Sequence, residues 1–145
     1  MNKIHIGFKG KNNASCILVK SISADSCLLT NSFAGLKRDI EALNPSYDSA
    51  ILFGIDKTLT DSIRIEMVAE KETQEFSVFN LEGISAQLGS VGISYCLSDK
   101  PTHYLCNDAY WYLLRKYHGK AVLIHIPSIK NMNENLIAGL KRVFG

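Results

Sequence analysis

The chain has 145 residues, 46% of them hydrophobic and 21% charged, the balance of a single globular domain with enough apolar material for a full core. Lys and Arg number 16 and Asp and Glu 14, a formal charge of +2, which is too small for the basic footprint of a nucleic-acid binder. There is no apolar run of about 18 residues to span a bilayer, and the polar opening Met1-Asn2-Lys3 is unlike a signal peptide, so the expectation is one cytoplasmic domain over residues 1–145.

Lys3–Phe8 alternates Ile4, Ile6 and Phe8 and predicts a first strand. A polar loop follows, then a short helical pattern over Ser15–Ile22 and a brief strand over Asp25–Thr30. Asn31 or Ser32 suits the cap of a helix whose Phe33, Leu36, Ile40 and Leu43 share one face, stopped at Asn44-Pro45-Ser46. Ser49–Ile55 is continuously apolar, the mark of a strand buried on both faces. After a polar loop over Asp56–Ser62, Ile63–Glu72 alternates Ile63, Ile65, Met67 and Ala69 against Arg64, Glu66, Val68 and Glu70. Further on come a helix over Phe79–Leu88, a strand over Gly92–Ser98 and a loop over Asp99–Leu105. Cys106–Tyr117 is a helix with Leu113, Leu114 and Tyr117 on one side. Lys120–Ile126 is a second continuous apolar strand, and Asn131 or Asn133 caps a last helix through Val143. Strands and helices that alternate from end to end predict a three-layer α/β/α fold with a mixed, mostly parallel sheet. Reactive groups in such sheets gather at strand ends.

The four cysteines stand at 16, 27, 96 and 106, with no Cys-x-x-Cys pair. Cys16, Cys27 and Cys96 sit among apolar residues and read as small core residues. Cys106 opens a predicted helix, where the dipole favours a thiolate and lowers the thiol pKa. His125 closes the last apolar strand, and Glu66 lies on the polar face of the alternating one. A thiol, an imidazole and a carboxylate in these places suit nucleophilic attack by Cys106, a base at His125 and an orienting acid at Glu66. The plain alternatives are a core histidine and a solvated carboxylate. His103, Cys106, Cys96 and His125 are also zinc-type ligands, although their spacing is not that of a zinc motif. Gly7-Phe8-Lys9-Gly10-Lys11 lacks the spacing of a phosphate loop. Within the aromatic group Tyr110, Trp111, Tyr112 and Tyr117, Trp111 or Tyr112 suits a subunit contact of a homo-oligomer.

Gly92-Ile93-Ser94-Tyr95-Cys96-Leu97-Ser98, Tyr104-Leu105-Cys106-Asn107 and Ile124-His125-Ile126-Pro127 together resemble the pyroglutamyl peptidase I family of cysteine peptidases. Ile65-Glu66-Met67-Val68-Ala69 is similar to that family's Glu-Arg-Val-Ala segment, and the order Glu, Cys, His is the same. Ile6-Gly7-Phe8 with Asn13-Ala14-Ser15, and Asn44-Pro45-Ser46-Tyr47-Asp48, resemble its N-terminal half, so the likeness covers nearly the whole chain. It implies the family's α/β fold and a Cys106–His125–Glu66 triad. It also implies a small peptide or amide substrate with Phe8 against its ring, and no metal or organic cofactor. The chain is shorter than that family's members. The second Phe of the opening loop is absent, with Lys9 and Lys11 near its place. The family's Gly-Gly-Arg, whose Arg serves the oxyanion, is replaced by Thr58-Leu59-Thr60. These departures imply weak pyroglutamyl specificity.

Overall fold

The computed structural model describes residues 2–145. In chain order the elements are β1 (Lys3–Phe8), α1 (Ala14–Ile22), β2 (Ser26–Leu29), α2 (Phe33–Glu41), β3 (Ser49–Ile55), β4 (Ser62–Glu66), β5 (Val68–Glu70) and β6 (Gln74–Phe76). They continue with α3 (Leu81–Ser90), β7 (Ser94–Ser98), α4 (Tyr104–Lys116), β8 (Ala121–Ile126), a 3-10 turn at Ile129–Asn131 and α5 (Glu134–Phe144). The side chains of Asn13, Ser32 and Asn133 cap α1, α2 and α5 by accepting backbone N–H bonds, which satisfies donors that a helix start leaves free.

One sheet of order β2-β1-β3-β8-β4-β7 forms the middle layer. Neighbours pair in parallel except β4 and β8, which run antiparallel. Alternation along each strand sends its side chains to two separate cores. On one face Ile4, Ile6 and Phe8 of β1, Ala50 and Leu52 of β3, and Ala121 and Leu123 of β8 pack with Leu36 and Ile40 of α2 and Tyr110, Leu113 and Leu114 of α4. On the other, Ile51, Phe53, Ile63, Ile65, Val122, Ile124 and Ile126 pack with Leu18 and Val19 of α1, Leu88 of α3, and Leu140 and Phe144 of α5. β3 and β8 lie at the centre and are covered on both sides, which is why their sequences read as unbroken apolar runs.

The fold is the expected three-layer α/β/α arrangement with a mixed, mostly parallel sheet. Two local features differ from the expectation. The alternating segment 63–72 is not one strand: it leaves the sheet after Glu66 and folds back as the β5–β6 hairpin, a separate two-stranded sheet. The break falls at Met67, whose N–H donates to the carbonyl of Ser98, the end of the neighbouring strand. Beyond it the burial switches sides, so that Ile63 and Ile65 belong to one core and Ala69 to the other. Trp111, one of the two residues (Trp111 or Tyr112) expected at a subunit contact, is buried within the chain and donates its indole N–H to the carbonyl of Thr73 at 3.0 Å. Among the described residues no helix is long and apolar enough to cross a membrane.

Candidate active site

Alternation alone puts Gly54, Arg64, Glu66 and His125 on the sheet face covered by α4, since their neighbours Phe53, Ile63, Ile65 and Ile124 fill the opposite core. Strand register then brings them together. Gly54 of β3 is level with His125 of β8, and Arg64 of β4 is level with the same His125 from the other side. α4 supplies the remaining neighbour, because it begins at Tyr104 and so carries Cys106 in its first turn.

Four side chains of α4 fasten that helix to the β4–β6 segment. The Tyr110 hydroxyl donates to the Glu66 carbonyl at 2.7 Å. Asn107 accepts from the Glu70 N–H at 3.0 Å and donates to the Glu70 carbonyl at 2.6 Å. The Trp111 indole reaches Thr73, and Asp108 pairs with Lys71 at 3.1 Å. A helix held by four side chains within two turns presents Cys106 at a fixed position, as a precise site demands.

The three side chains of the expected triad come together on one face of the sheet. Nδ1 of His125 donates to Oε2 of Glu66 at 2.9 Å, with Glu66 1% and His125 3% exposed. Cys106 Sγ and His125 Nε2 border one small gap beside β3. A Cβ on Gly54 would fill it, lying 2.7 Å from Sγ and 3.3 Å from Nε2. The gap opens into a cleft of about 600 Å³ whose lining includes Ile55, Lys57, Arg64, His103, Tyr104 and Cys106. Tyr104 is exposed and adopts φ 64°, a left-handed backbone that costs a non-glycine residue about 1–3 kcal/mol and collects at functional sites.

Electrostatics in the cleft run against one expectation. Burial pushes the Cys106 thiol up to about 11, and the Glu66 charge adds to the effect against a backbone hydrogen bond at Ile55. The helix start therefore does not hold a resting thiolate, because desolvation outweighs the dipole. Burial would raise Glu66 as well, but hydrogen bonds from His125 and Arg64 outweigh it and leave the carboxyl below its usual range. Asp56 is held at about 2; some burial opposes the shift, and two hydrogen bonds from Thr58 and the Arg64 guanidinium bring it about.

Phe8 is buried in the core, 5% exposed, with Ile4, Ile6 and Leu36 around it, outside the residues that line the cleft. Lys9 instead donates to the hydroxyl of Thr30. Among the described residues no group of three or more His, Cys, Asp or Glu side chains is placed to hold a metal ion, so His103, Cys106, Cys96 and His125 do not form a ligand set. Sequence reading passed over two members of the site. Gly54 carried no local signal, since its role is to leave space for residues far away in sequence. Arg64 did carry one: it stands two positions before Glu66 on the same face of an alternating strand.

No family model matches the sequence, and no curated protein matches it either. Solved structures do match, over nearly the whole chain. The pyrrolidone carboxyl peptidase from Thermus thermophilus aligns with a TM-score of 0.81 at 14% identity, over 97% of this chain and 96% of that one. A variant of the enzyme from Pyrococcus furiosus aligns at 0.78 and 20%, over 97% and 95%. That from Thermococcus litoralis aligns at 0.76 and 20%, over 97% and 90%. The chain has the pyrrolidone carboxyl peptidase fold, the one its sequence resemblance implied.

Proposed function

We propose that this protein is a cysteine-type amidase or peptidase that cleaves an N-terminal pyroglutamyl-type or related amide in a small peptide. The observation that supports it is the gap beside Gly54, where a thiol and an imidazole meet and the imidazole is backed by a buried carboxylate. Cys106 Sγ attacks the amide carbonyl carbon as its proton passes to Nε2 of His125. The tetrahedral adduct collapses with release of the amine, which takes that proton, and leaves a thioester on Cys106. Water, deprotonated by His125, then attacks the thioester. The acid departs and the thiol regains its proton. Glu66 accepts from Nδ1 throughout and stabilises the imidazolium. Backbone N–H groups in the first turn of α4 are free to face the oxyanion, aided by the helix dipole. With the thiol raised to about 11, nucleophile formation is coupled to proton transfer to His125.

A second reading, a non-catalytic binding domain on the same fold, draws its support from that same raised thiol. A pyroglutamyl-coumarin amide assay beside Cys106→Ser separates the two. Slow turnover that disappears in C106S is the expected result, the slowness following from a cleft that neither Phe8 nor any other Phe lines. No turnover, together with a Cys106 inert to a peptide aldehyde, would leave the binding domain. The exposed Cys96 and the half-buried Cys27 are replaced by Ser in both arms so that labelling reports on Cys106.

A further inference from the structure

We propose that Arg64 is a positioning residue of this site: its guanidinium clamps the Glu66 carboxylate against Nδ1 of His125 and thereby fixes the tautomer that turns a free Nε2 toward Cys106. The inference rests on the reading of Cys106 and His125 as nucleophile and base.

Arg64 makes three contacts along one line of side chains. Its Nε donates to Oε2 of Glu66 at 2.7 Å, and its Nη1 pairs with Oδ2 of Asp56 at 2.8 Å. Its Nη2 lies 3.4 Å from Nδ1 of His125. Asp56 is fixed in turn, because its Oδ1 accepts from the N–H of Thr58 at 2.9 Å and from the Thr58 hydroxyl at 2.6 Å. The guanidinium is thus anchored at one end by the loop after β3 and at the other by the buried carboxylate. The antiparallel β4–β8 pairing, which sets Arg64 level with His125, brings it there.

The hydrogen count follows from donor chemistry. Oε2 of Glu66 only accepts, and it takes Arg64 Nε and His125 Nδ1 together. An unprotonated Nδ1 would set a lone pair against that oxygen at 2.9 Å, so Nδ1 carries the hydrogen, and in the neutral imidazole Nε2 is then the bare nitrogen. The alternative tautomer has one source of support, a bond from Arg64 Nη2 to Nδ1, and at 3.4 Å this is the longest of the contacts. While Nε remains on Glu66, the carboxylate stays ionised in a nearly water-free place and holds the productive tautomer. A buried carboxylate left without its cation takes up a proton more readily or draws one onto the imidazole. Asp56, Lys57 and Arg64 from the β3–β4 side, Glu66 below, and His103, Tyr104 and Cys106 from α4 and its lead-in are the charged and titratable groups around His125.

The test needs no substrate. In a background with Cys96 and Cys27 replaced by Ser, the rate at which iodoacetamide alkylates Cys106 is followed against pH, and ¹⁵N shifts of labelled histidine report the His125 tautomer, with the signal assigned by His125→Gln. Expected for the parent is a protonated Nδ1. In Arg64→Met the acid limb of the alkylation profile moves up by about one pH unit, the scale of losing an opposite charge at this range, and the Nδ1-protonated tautomer no longer dominates. Arg64→Lys, which keeps the charge but not the two-ended reach, falls between. Asp56→Asn, which leaves Arg64 in place and frees its outer anchor, gives a smaller shift of the same sign and keeps the test alive if Arg64→Met fails to fold. A parent in the other tautomer, or unchanged profiles and tautomer in the Arg64 and Asp56 variants, would overturn the role of Arg64. A His125→Gln profile identical to the parent's would instead overturn the nucleophile–base reading, and the tautomer measurement would still judge Arg64.

Discussion

Two single residues set the working conditions of the molecule. Gly54 keeps open the gap between Cys106 and His125. In Gly54→Ala the new Cβ would stand 2.7 Å from Sγ, closer than any stable contact. The expected cost is about 1–3 kcal/mol of stability, the range for overpacking, read from urea denaturation. Reaction of Cys106 with a peptide aldehyde should fall at least tenfold beyond what that loss explains. His5, in contrast, governs pH. It is buried in β1, with Nε2 2.5 Å from the Phe144 carbonyl oxygen and Nδ1 without a partner. Burial pushes its pKa below 6.5. Between that lowered value and 6.5 the unfolded chain binds the proton and the folded one does not, so stability declines as pH falls below about 6.5. Thermal melts from pH 7.5 to 5 should show that decline, and His5→Asn should flatten it. A decline of equal size in His5→Asn would assign it elsewhere.

Among elements, α4 and the β5–β6 hairpin depend on one another. The hairpin is small and two-stranded, a form with marginal stability alone, and Asn107 satisfies both backbone groups of Glu70. Asn107→Ala leaves the Glu70 amide without its acceptor, with an expected loss of about 1–3 kcal/mol. The Glu70 amide should then exchange hydrogen markedly faster, while the amides of β3 change little. Unaltered exchange at Glu70 would show that the hairpin stands without the helix. The same pair marks the limit of what periodicity reveals. Ser49–Ile55 was legible to the residue because burial on both faces leaves no polar interruption. The end of β4 was not, because Met67 and Ala69 continue the apolar face of Ile63 and Ile65 across a break that falls where Met67 bonds to Ser98 from another part of the chain. α4 starts two residues before its expected first turn, since His103 holds the cap position without a side-chain hydrogen bond to announce it.

At the scale of the whole molecule, stability is distributed unevenly across the sheet. The β1, β3 and β8 strands are buried almost throughout, whereas β7 is exposed along nearly its full length and α3 buries only Leu88 fully. Native-state hydrogen exchange should therefore show β3 and β8 opening only with global unfolding, and β7 with α3 opening as a unit at lower free energy. Equal protection across all strands would contradict this gradient. The architecture was readable from alternating elements. Cys106, His125 and Glu66 could be named as a candidate triad from their types and from the family resemblance. The meeting of Arg64 and Gly54 around His125 could not, because it follows from strand order and from the one antiparallel pairing, neither of which leaves a local trace.

The sheet order has a consequence for how the chain assembles. β8 enters the middle of the sheet, between β3 and β4, although it is the last strand in the chain. A growing polypeptide that has delivered everything through α4 still has two open apolar strand edges facing each other, a sticky intermediate of the kind that chaperones shield. Both edges are closed by a single late segment, and that segment carries His125. Sheet closure and the arrival of the imidazole beside Cys106 are one event, so an incompletely built chain holds a thiol with no imidazole next to it.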